Sequence, residues 1–314
     1  MTLLAAFFRM IRYPNLIYIV LTQFLLQYCV VRPVLLNGGA EPSLSFPHFL
    51  MLCLSTILVA AGGYIINDYF DINIDLVNKP DKMVVDRIIN RRWAMAWHTL
   101  LNMAGVSLGF LVAFQIGQFY LGFIQVICTL LLWFYSTSFK RQVLIGNVVI
   151  SILTALSVVV VGFYEKQIYS SFEAIMSFEG RKLIKIIGVY ATFAFVLSMI
   201  REIVKDMEDM IGDSKDGCRT LPIVWGLKKT KRFTILLMVI LQVLLITIMV
   251  VTGLKEWYAA VAYIFVFVLA PFTLFVQKPF LTAYTPEQYH KISTWIKIVM
   301  LTGILSMIFF KIML

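Results

Sequence analysis

Two stretches of this sequence place acidic residues at one spacing. The first reads Asn67-Asp68-Tyr69-Phe70-Asp71-Ile72-Asn73-Ile74-Asp75; the second reads Asp206-Met207-Glu208-Asp209-Met210-Ile211-Gly212-Asp213. Both are DxxDxxxD. On an α-helix, offsets of three and seven residues fall within about 60° of the starting position, so the three carboxylates share one face. Two such faces meeting across a bundle carry six formal negative charges, which repel and raise one another's pKa unless a cation intervenes. Mg²⁺ prefers oxygen ligands and is typically held by one or two carboxylates together with substrate phosphates. The chemistry expected is a diphosphate bridged by Mg²⁺, with Asp68, Asp71, Asp75, Asp206, Asp209 and Asp213 as metal ligands and catalytic groups. A single DxxD at a helix end reads more simply as a solvated cap. Two copies at equal spacing do not.

Basic residues near these motifs could grip phosphate oxygens and stabilise a departing diphosphate. The set is Lys79, Lys82, Arg87, Lys140, Arg141, Lys205, Lys215 and Arg219. Lys140 stands out because it closes the run Tyr135-Ser136-x-x-x-Lys140, as does Arg12 in Arg12-Tyr13-Pro14-Asn15. For any one of these cations the plain alternative is the excess of Lys and Arg that cytoplasmic loops carry. Tyr64, Tyr69, Phe70 and Tyr135 lie close enough to offer ring faces to an allylic cation, or to line a tunnel for an apolar tail.

The elements that must position these groups are membrane spans. Charged residues make up 14% of the 314 and apolar residues 61%, with a mean hydropathy of +0.88. Soluble domains average ~25% charged, so a soluble globular enzyme and a disordered chain are both excluded. Apolar runs predict nine helices, at 15–36, 46–66, 93–115, 117–136, 143–163, 184–202, 232–253, 257–277 and 291–312. The fold expected is all-α: a polytopic nine-helix bundle forming one domain over 1–314, with charged cap loops at 67–92 and 201–231. With the N-terminus inside, 19 Lys and Arg fall on the cytoplasmic side and 7 opposite, and Lys297 lies within the last span. That asymmetry predicts a cytoplasmic N-terminus and cytoplasmic motif loops, in a bacterial or archaeal plasma membrane. Four spans separate the motifs, so both face one side. The equal spacing also suggests two related four-helix units plus one further helix. Cys29, Cys53, Cys128 and Cys218 show no pairing rhythm, and three scattered histidines argue against a His-based metal centre.

Asn67-Asp68-x-x-Asp71-x-x-x-Asp75 resembles the first signature of the UbiA superfamily of intramembrane prenyltransferases. Asp206-x-x-Asp209-x-x-x-Asp213, followed by Gly217-Cys218-Arg219-Thr220-Leu221-Pro222, resembles the second, and Arg12-x-x-Asn15 is similar to the family's opening. The resemblance covers essentially the whole chain. It implies a central cavity open sideways to lipid, two Mg²⁺ ions holding a prenyl diphosphate, and transfer of the prenyl group to a lipophilic acceptor. From these motifs and from nearness to the aspartates, the expected substrate-binding residues are Asn67, Arg12, Asn15, Lys79, Tyr135, Lys140, Arg141 and Arg219. Lys205-Asp206-Met207-Glu208-Asp209 with Arg219-Thr220-Leu221-Pro222 looks most like the geranylgeranylglycerol-phosphate geranylgeranyltransferase type, and enzymes acting on aromatic quinone precursors are the competing branch. One departure is Met83-Val84-Val85-Asp86-Arg87, where relatives often carry Pro and Ser-Gly. Neither a nucleic-acid nor an obligate protein partner is expected. The non-enzymatic alternative is a cation-coupled transporter using intramembrane carboxylates. Against it, the aspartates cluster at span ends, whereas transporter sites lie near mid-bilayer.

Overall fold

The computed structural model describes residues 2–170 and 172–313, without the side chains of Lys82, Gln167, Tyr169 and Phe172. The expectation placed on Lys82 therefore lies outside the described residues. A short amphipathic helix, α1 (Leu3–Met10), precedes the first span, α2 (Tyr13–Asn37). Then come α3 (Phe46–Phe70), the short α4 (Ile72–Asn78), α5 (Arg91–Gln115), α6 (Phe119–Thr137) and α7 (Ile145–Phe163). The last four spans are α8 (Phe178–Lys215), α9 (Leu221–Gly253), α10 (Tyr258–Thr282) and α11 (Pro286–Met313). Among the described residues nine helices are long and apolar enough to cross a membrane, as expected.

Local sequence explains where these helices start. Ser45 caps α3 by accepting from the His48 amide at 3.5 Å, and Ser177 caps α8 by accepting from Gly180 at 3.0 Å. Thr285 and Gln288 form a reciprocal capping box on α11. Three π-helical stretches, Leu26–Val31, Phe265–Leu269 and Phe272–Gln277, each run up to a proline: Pro33, Pro271 and Pro279. Proline has no N–H for the carbonyl four residues back and its ring crowds that carbonyl, so the wider turn relieves both problems.

α3 and α5 pack most closely. Gly105 and Gly109 form a GxxxG stripe, and a Cβ on Gly105 would meet the Ser55 carbonyl oxygen at 3.0 Å. The Ser55 hydroxyl donates across the same contact to the Gly105 carbonyl at 2.6 Å. The largest apolar cluster, built on Ile200, Met238, Phe272 and Ile296, joins α8 to α9, α10 and α11.

Two expectations are corrected. The 201–231 segment is not a loop. α8 continues to Lys215, and α9 begins at Leu221, with a break at Gly226 (φ 75°). Charge made this stretch look like a loop, but a helix protruding past the apolar layer can be charged on its polar face. The first motif, in turn, is not on one continuous helix. Asp68 ends α3, Asp71 sits between helices at φ −90°, ψ 2°, and Asp75 lies on α4. The atypical Met83-Val84-Val85 segment is buried, at 8%, 4% and 2% exposure, against Ala6, Met10 and Ile65. It plugs the bundle with apolar side chains.

Candidate active site

The two aspartate motifs line one polar cavity of about 320 Å³ at one end of the bundle. α3 and α4 carry Asp68, Asp71 and Asp75 to it, and the last turns of α8 carry Asp206, Asp209 and Asp213. The two halves are stitched together by Asn78 at the end of α4. Its Nδ2 donates to the Asp209 carbonyl at 3.0 Å, and its Oδ1 accepts from the Gly212 amide at 2.9 Å.

Most of the carboxylates already have a partner. Arg12 donates to Asp68 at 2.6 Å, and Lys79 donates to both oxygens of Asp209 at 2.7 and 3.1 Å. Lys140 donates to Asp71, which also accepts from Asn67 Nδ2 at 2.7 Å. Asn147, at the start of α7, donates to Asp206 at 2.8 Å. Among the described residues no three of these acids converge closely enough to chelate one ion as they stand. The donor set nevertheless suits a hard cation: six carboxylates, plus the Asn67 Oδ1, which is buried without a hydrogen-bond partner.

Arg12 adopts a left-handed conformation (φ 51°, ψ 52°) as the cap of α2. For a non-glycine residue that costs about 1–3 kcal/mol, a strain concentrated at functional positions. The turn brings its guanidinium to Asp68 and 5.3 Å from the Tyr64 ring centroid. Asp68 keeps Arg12 firmly charged despite burial. Burial also works against charge on Lys79, but Asp209 and Glu208 override it and raise its pKa. Asp75 makes no direct side-chain ion pair among the described residues, and the nearby charges of Arg12 and Lys79 offset only part of the effect of burial. Burial, then Asp71 and Asp68, push it up to about 6.

The polar cavity adjoins a larger, mostly apolar cavity of about 780 Å³ that runs through the bundle. Arg12, Asn67, Tyr135, Glu202 and Lys205 line both, so they mark the junction. At the other end the large cavity is rimmed by Lys182, Lys185, Lys255 and Trp257.

Of the expected substrate-binding residues, Arg12, Asn67, Lys79, Tyr135 and Lys140 line the polar cavity. Asn15 faces only the apolar one, where it accepts from Lys297 at 3.3 Å. Arg141 and Arg219 line neither. Arg141 is held 2.7 Å from Asp216, and its carbonyl accepts the Arg219 amide at 2.9 Å, so this pair fastens the α8–α9 turn to the end of α6. Sequence reading missed Arg9, Asn147 and Thr220 in the polar cavity, and Arg201, Glu202 and Lys297 in the larger one. For the last three a signal existed, since ionisable residues inside a span are costly and rarely idle.

The model of the UbiA prenyltransferase family matches residues 25–308. The digeranylgeranylglyceryl phosphate synthase of Methanosphaera stadtmanae is 30% identical over 267 residues, covering 83% of this chain and 88% of its own length. That of Saccharolobus solfataricus is 30% identical over 268 residues, covering 84% of each. A solved structure of a digeranylgeranylglyceryl phosphate synthase superposes with a TM-score of 0.65 at 25% identity, covering 99% of both chains. A UbiA homologue from Archaeoglobus fulgidus, bound to DMAPP and Mg²⁺, shares the fold with a TM-score of 0.58 at 18% identity, covering 98% of this chain and 99% of its own.

Proposed function

The chain belongs to the UbiA prenyltransferase family, and from that premise we propose that this membrane enzyme geranylgeranylates geranylgeranylglyceryl phosphate on its free hydroxyl, a step of ether-lipid synthesis. One observation carries the reading: two acidic helix ends face a small polar cavity that opens into a long apolar one. The polar cavity suits a diphosphate, and the apolar cavity suits prenyl tails. The relatives named for this reaction, similar over more than four fifths of their length, support the choice of acceptor.

Asp68, Asp71, Asp75, Asp206, Asp209 and Asp213, with the free Asn67 Oδ1, would hold Mg²⁺. The bound ions would supply charge neutralisation to the diphosphate, as is usual where carboxylates and phosphates share Mg²⁺. Arg12, Lys79 and Lys140 stand within the same cavity to donate to phosphate oxygens. The apolar lining excludes water from the allylic C1 while its bond to diphosphate breaks, and the electron pair leaves with the diphosphate. The acceptor hydroxyl attacks C1 from the junction beside Tyr135, and its proton passes to the departing diphosphate. The excess of basic residues on the motif side supports a cytoplasmic face for this site.

The test is transfer by purified protein in nanodiscs, using labelled geranylgeranyl diphosphate with Mg²⁺ or with chelator. Geranylgeranylglyceryl phosphate, 4-hydroxybenzoate and 1,4-dihydroxy-2-naphthoate are offered in parallel. A labelled ether lipid formed only with Mg²⁺ is expected. A labelled aromatic product instead would move the protein to the quinone branch, and the absence of any transfer or diphosphate release would revive the transporter.

Asp75 makes a pH prediction. Its carboxyl titrates at about 6 without metal, so below that pH a proton occupies the group. The contribution of Asp75 to Mg²⁺ affinity is expected to fall up to about tenfold per pH unit below pH 6 and to level off above pH 7. Mn²⁺ titration at pH 5, 6 and 7.5 reads this directly. In Asp75→Asn the affinity is lower throughout and the slope between pH 5 and 7 shallower; an unchanged slope would remove Asp75 from the site.

A further inference from the structure

Positive charge is distributed unevenly over the two cavities. In the polar one, Arg12, Lys79 and Lys140 are each already paired with a motif aspartate. In the large cavity, beside the junction, Arg201, Lys205 and Lys297 converge with one acid between them. Glu202 is the one carboxylate among the described residues lining that cavity. It accepts from Arg201 at 2.6 Å and lies 4.0 Å from Lys205. The Arg201 Nε is buried with no hydrogen-bond partner. Lys297, inside the last span, has the neutral Asn15 Oδ1 at 3.3 Å. Arg201 and Lys297 against Glu202 leave a surplus of about one positive charge in the large cavity, and Lys205, at the junction, is shared with the aspartates of the polar cavity. Such a surplus is costly unless a ligand completes it.

We propose that Arg201, Lys205 and Lys297, with Asn15, form the headgroup site for a phosphate monoester on the acceptor, separate from the aspartate-lined site for the donor diphosphate. This rests on the acceptor reading above. A phosphate monoester carries about −1.5 to −2 at pH 7, which suits the surplus together with Lys205, and its three oxygens accept from several donors at once. The placement also suits the chemistry. The hydroxyl to be prenylated sits on the glycerol carbon next to the one bearing phosphate, so the headgroup must bind close to the junction. Lys205 lines both cavities at that point. Neither 4-hydroxybenzoate nor another aromatic acid supplies a dianion there, so the cluster selects between acceptor classes.

The test separates donor from acceptor. Wild type, Lys297→Gln, Lys205→Gln and Lys297→Arg are compared in nanodiscs with geranylgeranyl diphosphate as donor. Geranylgeranylglyceryl phosphate or its unphosphorylated alcohol, geranylgeranylglycerol, is the acceptor. Lys297→Gln is expected to raise KM for the phosphorylated acceptor at least tenfold and to leave KM for the donor within twofold. Turnover of the alcohol should fall far less than that of the phosphorylated acceptor, and Lys297→Arg should recover most of the loss. Donor binding and thermal midpoint report that each variant is folded. If the phosphorylated acceptor's KM stays within twofold in both Gln variants, or if Lys297→Gln raises the donor's KM instead, the headgroup site is wrong while the acceptor reading stands. If wild type itself refuses geranylgeranylglyceryl phosphate but prenylates an aromatic acid, the acceptor reading fails and takes this site with it.

Discussion

Replacing Asp209 with alanine is expected to lower kcat/KM for prenyl transfer by at least about 10³-fold, or ~4 kcal/mol of transition-state stabilisation. Asp68→Ala should do the same. Each removes one carboxylate from the set proposed to hold divalent charge against the diphosphate. The structure argues that the loss falls on chemistry and not on folding. In Asp209→Ala, Lys79 keeps Glu208 at 3.4 Å, and the stitch from Asn78 to the α8 backbone survives because it uses main-chain atoms of Asp209 and Gly212. The thermal midpoint should therefore shift by only a few degrees while labelled product disappears. Activity within tenfold of wild type in both variants would sink the diphosphate reading.

The second large effect belongs to Lys140. Its side chain is only 9% exposed and rests on Asp71, within the wall of the polar cavity. Lys140→Met removes a preorganised cation from the cavity proposed to hold the leaving diphosphate. A loss of about 10²–10³ in kcat is the usual size for such a donor. The same change frees Asp71 from its ammonium competitor, so Mg²⁺ affinity should hold or rise while turnover falls. That split distinguishes Lys140 from the aspartates, whose removal weakens both. Mn²⁺ titration alongside single-turnover kinetics measures the two halves. Unimpaired single-turnover transfer would confine Lys140 to a structural pairing.

The spans were readable in the sequence because hydrophobic length is a strong signal, and nine runs predicted nine helices. The motif spacing was readable too, since DxxDxxxD repeats literally at 68 and 206. What sequence could not convey was how the backbone carries each copy. Asp71 falls at a helix break while Asp209 rides a continuous helix, although both motifs share one pattern. Asn147 and Asn78 were invisible for a different reason. Their roles depend on contacts 59 and 131 residues away, which no local pattern encodes. Arg141 and Arg219 drew attention by charge and nearness, yet they serve the α8–α9 turn. Proximity along the chain is a poor guide where helices of about 30 Å carry neighbouring residues to opposite faces of a bundle.

The lysine rim at the far end of the large cavity has a consequence for measuring a tail. Helix α8 lines the cavity from Lys182 to Lys205. At ~1.5 Å per residue that stretch is about 35 Å long. An extended chain advances about 1.2 Å per bond, judged from the backbone's ~3.6 Å per three bonds. Each isoprene unit adds four bonds, so four units reach about 19 Å and six reach about 29 Å. A four-unit tail laid along α8 from Lys205 would thus stop well short of the rim. On the length of α8 alone, tails of four and of six units would both fit. On the acceptor reading proposed above, selection between donors would then fall to girth, to whether the incoming tail and the one already on the acceptor can lie side by side along α8.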